Sequence, residues 1–215
     1  MLAAAIPARS GEHVLEGGSG AGAALLCLAA RVPGLHGTGV ERDPALAALA
    51  DRNAQANRFG GLGFVAADVV AIRDLGRFDH AMANPPYHPP SGTASPDSAR
   101  EQAKRGGEGL LAAWAAALAA PLRHRGTLSF ILPAATRPEC LTAMAAAGCA
   151  VRAVLPLWPK AGLAAKLVLV QGVKGGRTTL RLLPGLVLHR AEGGYTAEAD
   201  AILRDGAALP MVECR

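Results

Sequence analysis

Four consecutive residues, Asn84-Pro85-Pro86-Tyr87, carry groups that can grip a planar nitrogen and make it reactive. A conjugated amine or amide nitrogen is a poor nucleophile because its lone pair is delocalised. The Asn84 side-chain carbonyl and the Pro85 backbone carbonyl can accept its two hydrogens and draw it toward a tetrahedral arrangement. The prolines fix the backbone, so these acceptors point outward with little reorganisation. Tyr87 adds an aromatic face for a base, a contact worth ~1–3 kcal/mol at stacking sites. No general base is required, since the nitrogen sheds its proton easily once cationic. That agrees with the lack of an obvious Ser-His-Asp or paired-carboxylate set. Taken alone, Pro85-Pro86 is a rigid turn ending a strand and Tyr87 a rim residue, so the surroundings decide.

Those surroundings begin with a strand at 13–16 that runs into Gly17-Gly18-Ser19-Gly20-Ala21-Gly22 and then an apolar helix at 23–31. A glycine-rich strand-to-helix turn lets a ligand approach the backbone closely. The spacing Gly18-x-Gly20-x-Gly22 is not the G-x-G-x-x-G of dinucleotide binders. Glu41 ends the second strand 19 residues after Gly22, where a carboxylate can accept hydrogen bonds from ribose hydroxyls. Asp43 is the lesser alternative, and Asp68 ends the third strand. In an open parallel sheet ligands bind beyond the carboxyl ends of the strands, so all these groups converge with Asn84 at the end of the fourth.

The elements that position them read as alternating strands and helices. Strands fall at 35–41, 63–67 and 78–83 and a helix at 44–57, opened by Pro44 with apolar positions Leu46, Leu49 and Ala50. Residues 87–107 form a long loop rich in proline, serine and charge. A helix follows at 110–122, a strand at 126–132 and a helix at 138–147. Two strands at 150–157 and 165–173 without a helix between them predict an antiparallel hairpin. Beyond it lie short strands or arms at 178–183 and 186–189 and a small helix at 196–204. The alternation predicts an α/β fold with a doubly wound, mostly parallel sheet.

The 215 residues, 51% hydrophobic and 18% charged, can bury one sizeable core, and the expected organisation is a single domain over 1–215, with 176–215 as its C-terminal extension. The formal charge of +5 is compatible with a polyanionic partner such as RNA. Phosphate-contact candidates are Arg100, Lys104 and Arg105 after the Asn-Pro-Pro-Tyr segment, and a late group of Lys160, Lys166, Lys174 and Arg177. Cys27, Cys140, Cys149 and Cys214 form no C-x-x-C pair, so free thiols in a reducing cytoplasm are expected rather than a metal site. No apolar run is long enough to span a bilayer. His80 and His88 flank the motif without a catalytic role, Trp114 reads as a packing residue, and Trp158 as the better surface candidate.

With these residues placed, the chain resembles the S-adenosylmethionine (SAM)-dependent methyltransferases of the small-domain class that carry an N-P-P-Y motif. More narrowly it is similar to bacterial tRNA N6-adenine methyltransferases that modify the adenine beside the anticodon of a valine tRNA. The similarity runs through 14–22, 39–41, Ala67-Asp68, 78–88 and Lys174-Gly175-Gly176-Arg177. It implies a Rossmann-like class I fold, a seven-stranded sheet with an antiparallel terminal hairpin, SAM as donor, S-adenosylhomocysteine as product, and tRNA as substrate. It places Glu16, Gly17, Gly18, Gly20 and Gly22 around the methionine part of SAM, Glu41 at the ribose and Asp68 at the adenine ring. Asn84 borders the cofactor, and Asn84 to Tyr87 receive the target base.

Protein-glutamine and DNA-adenine methyltransferases share N-P-P-Y, and a glutamine amide would suit the same Asn84 site. That reading expects a helical substrate domain before the fold. A third reading is a catalytically impaired SAM- or RNA-binding relative. It is motivated by two departures. Glu16-Gly17 stands where the family has aspartate and a larger apolar residue, and Gly17 is expected to loosen the turn. Residues 1–7 resemble only the tail of the family's leader, and weak SAM binding is expected from that.

Overall fold

A computed structural model of the chain describes residues 1–86 and 109–212. Tyr87, His88, Arg100, Lys104, Arg105 and Cys214 lie outside the described residues. The strands are β1 (His13–Gly17), β2 (His36–Glu41), β3 (Leu62–Ala66), β4 (Phe78–Ala83), β5 (Leu122–Pro133), β6 (Cys149–Lys160), β7 (Leu167–Lys174), β8 (Arg181–Leu182) and β9 (Leu186–His189). The helices are α1 (Ala23–Arg31), α2 (Pro44–Ala56), α3 (Leu110–Ala119), α4 (Arg137–Ala146) and α5 (Ala197–Arg204).

All strands join one sheet in the order β3-β2-β1-β4-β5-β7-β6, and β8 and β9 pair along the outer side of β6. β1 to β5 run parallel, whereas β7 is antiparallel to both β5 and β6. The fold is thus Rossmann-like, with the expected terminal hairpin. Its last strand, β7, inserts between β5 and β6. The count is nine rather than seven, because β6 is twelve residues long and its outer edge can pair two short segments in succession.

Two hydrophobic cores occupy the two faces, as the strand alternation dictates. Leu15, Phe130, Val154 and Val170 face α3 and α4 with Trp114, Leu118 and Met144. Val14, Met82, Leu155 and Leu169 face α1 with Leu25 and Leu28, the N-terminal Leu2 and Ile6, and Ile202 of α5. The inward stripe of α2 is Ala47, Ala50 and Ala54, not the expected Leu46, which is 38% exposed. Small residues suit a helix that must lie close to glycine-bearing neighbours. The helix expected over 110–122 stops at Ala119 ahead of Pro121, and β5 starts at Leu122 rather than at 126. Its first residues carry a register shift against β4 and a left-handed Arg125 (φ 69°), which hides the strand from periodicity.

The sheet is tied together by buried polar bonds. Gln171 is fully buried, and its amide donates to Ala5 O (3.0 Å) and Ser129 Oγ (2.9 Å) while its carbonyl accepts from Arg152. His80 is also buried. Its ring bridges Thr127 Oγ1 (2.8 Å) and Glu12 (3.0 Å), and burial lowers its pKa. This is a structural histidine at the start of β4.

Candidate active site

The chain order of the sheet reverses at β1, flanked by β2 on one side and β4 on the other. At such a switch point the connections leave in opposite directions and open a crevice beyond the carboxyl ends. The glycine turn follows β1 there. Gly18, Gly20 and Gly22 have φ of 67°, 54° and 87°, a region costly for residues with a Cβ. The amides of Gly18 and Ser19 donate to Val40 O (2.8 and 3.1 Å), hanging the turn on β2. Asn53 of α2 donates from Nδ2 to Ala21 O (3.0 Å) and holds its far side. Beneath it lies Trp114: a Cβ on Gly18 would stand 2.9 Å from its ring. A Cβ on Gly22 would stand 2.9 Å from Phe64 and 3.1 Å from Ala50, so α1 begins in close contact with β3 and α2. At Gly20 a Cβ meets nothing within 4 Å. The turn is packed below and open above.

Gly17 does not loosen this turn. It is buried in β1, paired with Val40 and Ala83, and its missing side chain leaves room for Leu118 at 3.2 Å. Leu118 fills the space that a larger apolar residue would take.

Three carboxylates stand around the opening. Glu41 ends β2 and accepts from the Gly20 amide (2.8 Å) through one oxygen and the Asp43 amide (2.9 Å) through the other. Asp43 instead caps α2, accepting from Ala45 and Leu46 amides at 2.8 and 3.4 Å, which Pro44 at the first helical position favours. Asp68 is exposed just after β3 and accepts from the Val70 amide (2.9 Å). Glu16 is 4% exposed and accepts from the Leu25 amide (3.2 Å) in the first turn of α1, a helix whose own N-cap, Gly22, has no side chain. Burial pushes the Glu16 carboxyl up to about 8; the Leu25 amide opposes this and the Glu41 charge adds to it. Among the described residues none of these three acids has an ion-pair partner. Ser19 Oγ in the turn is buried with no hydrogen-bond partner. An open backbone turn, an unpartnered hydroxyl and acids without cations suit a cationic ligand bearing a ribose, which SAM is.

Asn84 leaves the carboxyl end of β4, adjacent to β1, and is exposed, while Pro85 is buried and Pro86 exposed. The geometry brings together Glu16, the glycine turn, Glu41, Asp68 and Asn84 on one sheet edge. The late basic group is divided by the same register. Lys160 and Lys166 are at that carboxyl edge, whereas Lys174 ends β7 at the opposite edge, beside Cys149, with Arg177 just beyond. Lys174 Nζ donates to Ala147 O (2.8 Å) and closes α4, and Lys160 Nζ donates to Ala191 O (3.0 Å). Ser19, Asn53, Trp114 and Leu118 are supports that sequence reasoning did not assign to the site. Ser19 lies within the turn itself, and only the places of the other three in helices following it hinted at their role.

Among the described residues no group of three His, Cys, Asp or Glu is placed to hold a metal, and no helix is long and apolar enough to cross a membrane. Burial raises the thiol pKa of Cys140 to about 12 and that of Cys149 above its usual value, while Cys27 is exposed.

The doubly wound sheet, switch-point crevice and glycine turn define the class, and residues 1–116 match the methyltransferase small domain family. The chain belongs to that family. It is 36% identical over 122 residues to a release factor glutamine methyltransferase of Rhodospirillum rubrum, a match covering 52% of this chain and 38% of that protein. Among solved structures, a predicted O-methyltransferase of Agrobacterium tumefaciens superposes with a TM-score of 0.81 at 24% identity, covering 97% of this chain and 96% of the other. A magnesium protoporphyrin IX methyltransferase of Synechocystis with bound SAM reaches 0.55 at 15% identity, covering 77% and 71%. Both of these likenesses concern the fold.

Proposed function

We propose that the chain transfers a methyl group from SAM to the exocyclic N6 of an adenine in tRNA, leaving S-adenosylhomocysteine. The observation that carries the reading is the exposed Asn84 on the strand next to the glycine turn. It stands where an acceptor nitrogen can face a donor held over β1 and β2. SAM supplies an activated methyl group. Glu41 accepts from the ribose hydroxyls in exchange for its present bond to the Gly20 amide. Glu16, the glycine turn and the Ser19 hydroxyl receive the methionine part, and Asp68 the adenine ring. Asn84 Oδ1 and the Pro85 carbonyl accept the two amine hydrogens and take the nitrogen's lone pair out of conjugation. Tyr87 stacks on the base. After transfer the cationic nitrogen loses a proton to water. Lys160 and Lys166 sit at the carboxyl edge on the substrate side, and Arg100, Lys104 and Arg105 are proposed as further phosphate contacts from their place in the sequence after the motif; Lys174 and Arg177, at the far edge of the sheet, are left out of the interface. The reading is of one domain over 1–215, working in the cytoplasm without a metal.

A second reading, methylation of a protein glutamine, is favoured by the 36% identity to the release factor glutamine methyltransferase. A glutamine amide presents the same two hydrogens to Asn84. The chain spans 38% of that protein's length, and the +5 charge of the whole chain favours RNA. Radiolabelled SAM with bulk tRNA, protein extract and DNA separates the two. Label in tRNA alone, lost in Asn84→Ala, is the expected result, while label in protein alone replaces the first reading with the second.

A further inference from the structure

The carboxyl edge carries a second concavity, a groove of about 570 Å³ beyond the parallel strands. Its lining includes Val154, Pro156 and Trp158 of β6, Arg137 at the start of α4, Ala165 before β7 and Leu182 of β8. Leu182 is 68% exposed although it lines a groove. The Trp158 indole is held in place, since Nε1 donates to Pro184 O (3.0 Å). Charge on the groove is one-sided. Among the described residues no carboxylate lines it and Arg137 makes no ion pair. The exposed Lys166 stands beside Ala165, its carbonyl accepting from the Ala134 amide (2.9 Å) and so joining the rim to the short 3-10 turn that leads into α4.

The register fixes where this groove lies. Ala83 pairs with Phe130, Leu132 with Val168 and Val168 with Pro156. The groove is therefore three strand spacings from β4, about 14 Å across the same edge. An unstacked single strand with one base at Asn84 reaches it within a few nucleotides.

We propose that this groove binds a nucleotide flanking the methylated base in single-stranded RNA. The base lies on the apolar lining beside Trp158, and a phosphate is held by Arg137 and Lys166. The two kinds of contact are what unpaired RNA offers: a flat apolar face and a charge. An acidic peptide would match the charge but not the aromatic, apolar floor. This inference rests on the RNA reading above, and the experiment separates the two.

The full chain is titrated into a fluorescein-labelled oligoriboadenylate and, separately, into poly-glutamate, followed by anisotropy. Arg137→Glu reverses the charge, and Leu182→Glu places a carboxylate on an exposed position where folding is not at risk. Each is expected to weaken oligoriboadenylate binding about tenfold, Arg137→Glu by losing a charged contact and Leu182→Glu by setting a carboxylate against the phosphates, with S-adenosylhomocysteine affinity unchanged. With tRNA as methyl acceptor, KM rises while kcat stays level. Unchanged oligonucleotide affinity in both variants overturns the groove even if tRNA is methylated, as does wild type binding poly-glutamate but not the oligonucleotide. Weakened oligonucleotide binding with no methylation of tRNA upholds the groove and overturns the adenine reading.

Discussion

Glu16 is a carboxylic acid held almost out of water by one amide, and its protonation must follow from that. A carboxyl raised from 4.5 to about 8 binds its proton more tightly folded than unfolded. Its contribution to stability is complete below about pH 4.5 and is lost as the pH rises through 8. The melting temperature of wild type is expected to fall between pH 6 and pH 9, and Glu16→Gln, which keeps an acceptor for the Leu25 amide, to flatten that fall. Equal slopes in a pH series of thermal melts would count against a protonated Glu16. At Asn84 the expectation is kinetic. Asn84→Ala removes a preorganised acceptor from an exposed position, so methyl transfer should drop about 10²–10³-fold in single-turnover assays. The circular dichroism spectrum should be unchanged, and a loss below threefold would move the reaction centre elsewhere.

Among the elements, the β1–α1 turn is the most exacting. Two glycines in it separate backbone conformation from space. Gly22→Ala forces a left-handed residue against Phe64 and Ala50 and is expected to cost about 1–3 kcal/mol, read from the urea midpoint. Gly20→Ala has the same backbone problem but free space around the new Cβ, so it should cost about 1 kcal/mol and show its main effect on cofactor affinity. Equal stability losses at both sites would mean that the close packing at Gly22 is relaxed. The turn was legible in the sequence because glycine spacing and a strand-end acid are local signals. The alanine face of α2 and the start of β5 were not: alanine has little periodic contrast, and Arg125 breaks the strand pattern. Gly17 misled for a related reason. Its role depends on Leu118, about a hundred residues away in the chain, and no local pattern reports that contact.

Across the whole molecule, the sheet edge decides which residues work together. Strands that alternate with helices announced a parallel sheet and one carboxyl edge, and Glu41, Asp68 and Asn84 stand along that edge. The insertion of β7 between β5 and β6 was not readable, because a hairpin's sequence does not say which of its strands joins the sheet. With it went the placement of Lys174, which a count along the chain groups with Lys160 but the register sends to the opposite end. The same hairpin depends on Gln171, whose amide links β7 to Ala5, Ser129 and Arg152. Gln171→Leu should destabilise the protein by about 1–3 kcal/mol, leaving these partners unsatisfied. A chemical-denaturation midpoint unchanged from wild type would show that water replaces the amide.

The account stands or falls on a ribose-bearing ligand seated between the glycine turn and Glu41. Calorimetric titration of S-adenosylhomocysteine into wild type and Glu41→Ala tests that directly. Saturable binding of one ligand per chain is expected in wild type, weakened about 10–100-fold in the variant, as losing a charged acceptor implies. No saturable binding to wild type, or equal affinities in the two proteins, would contradict it.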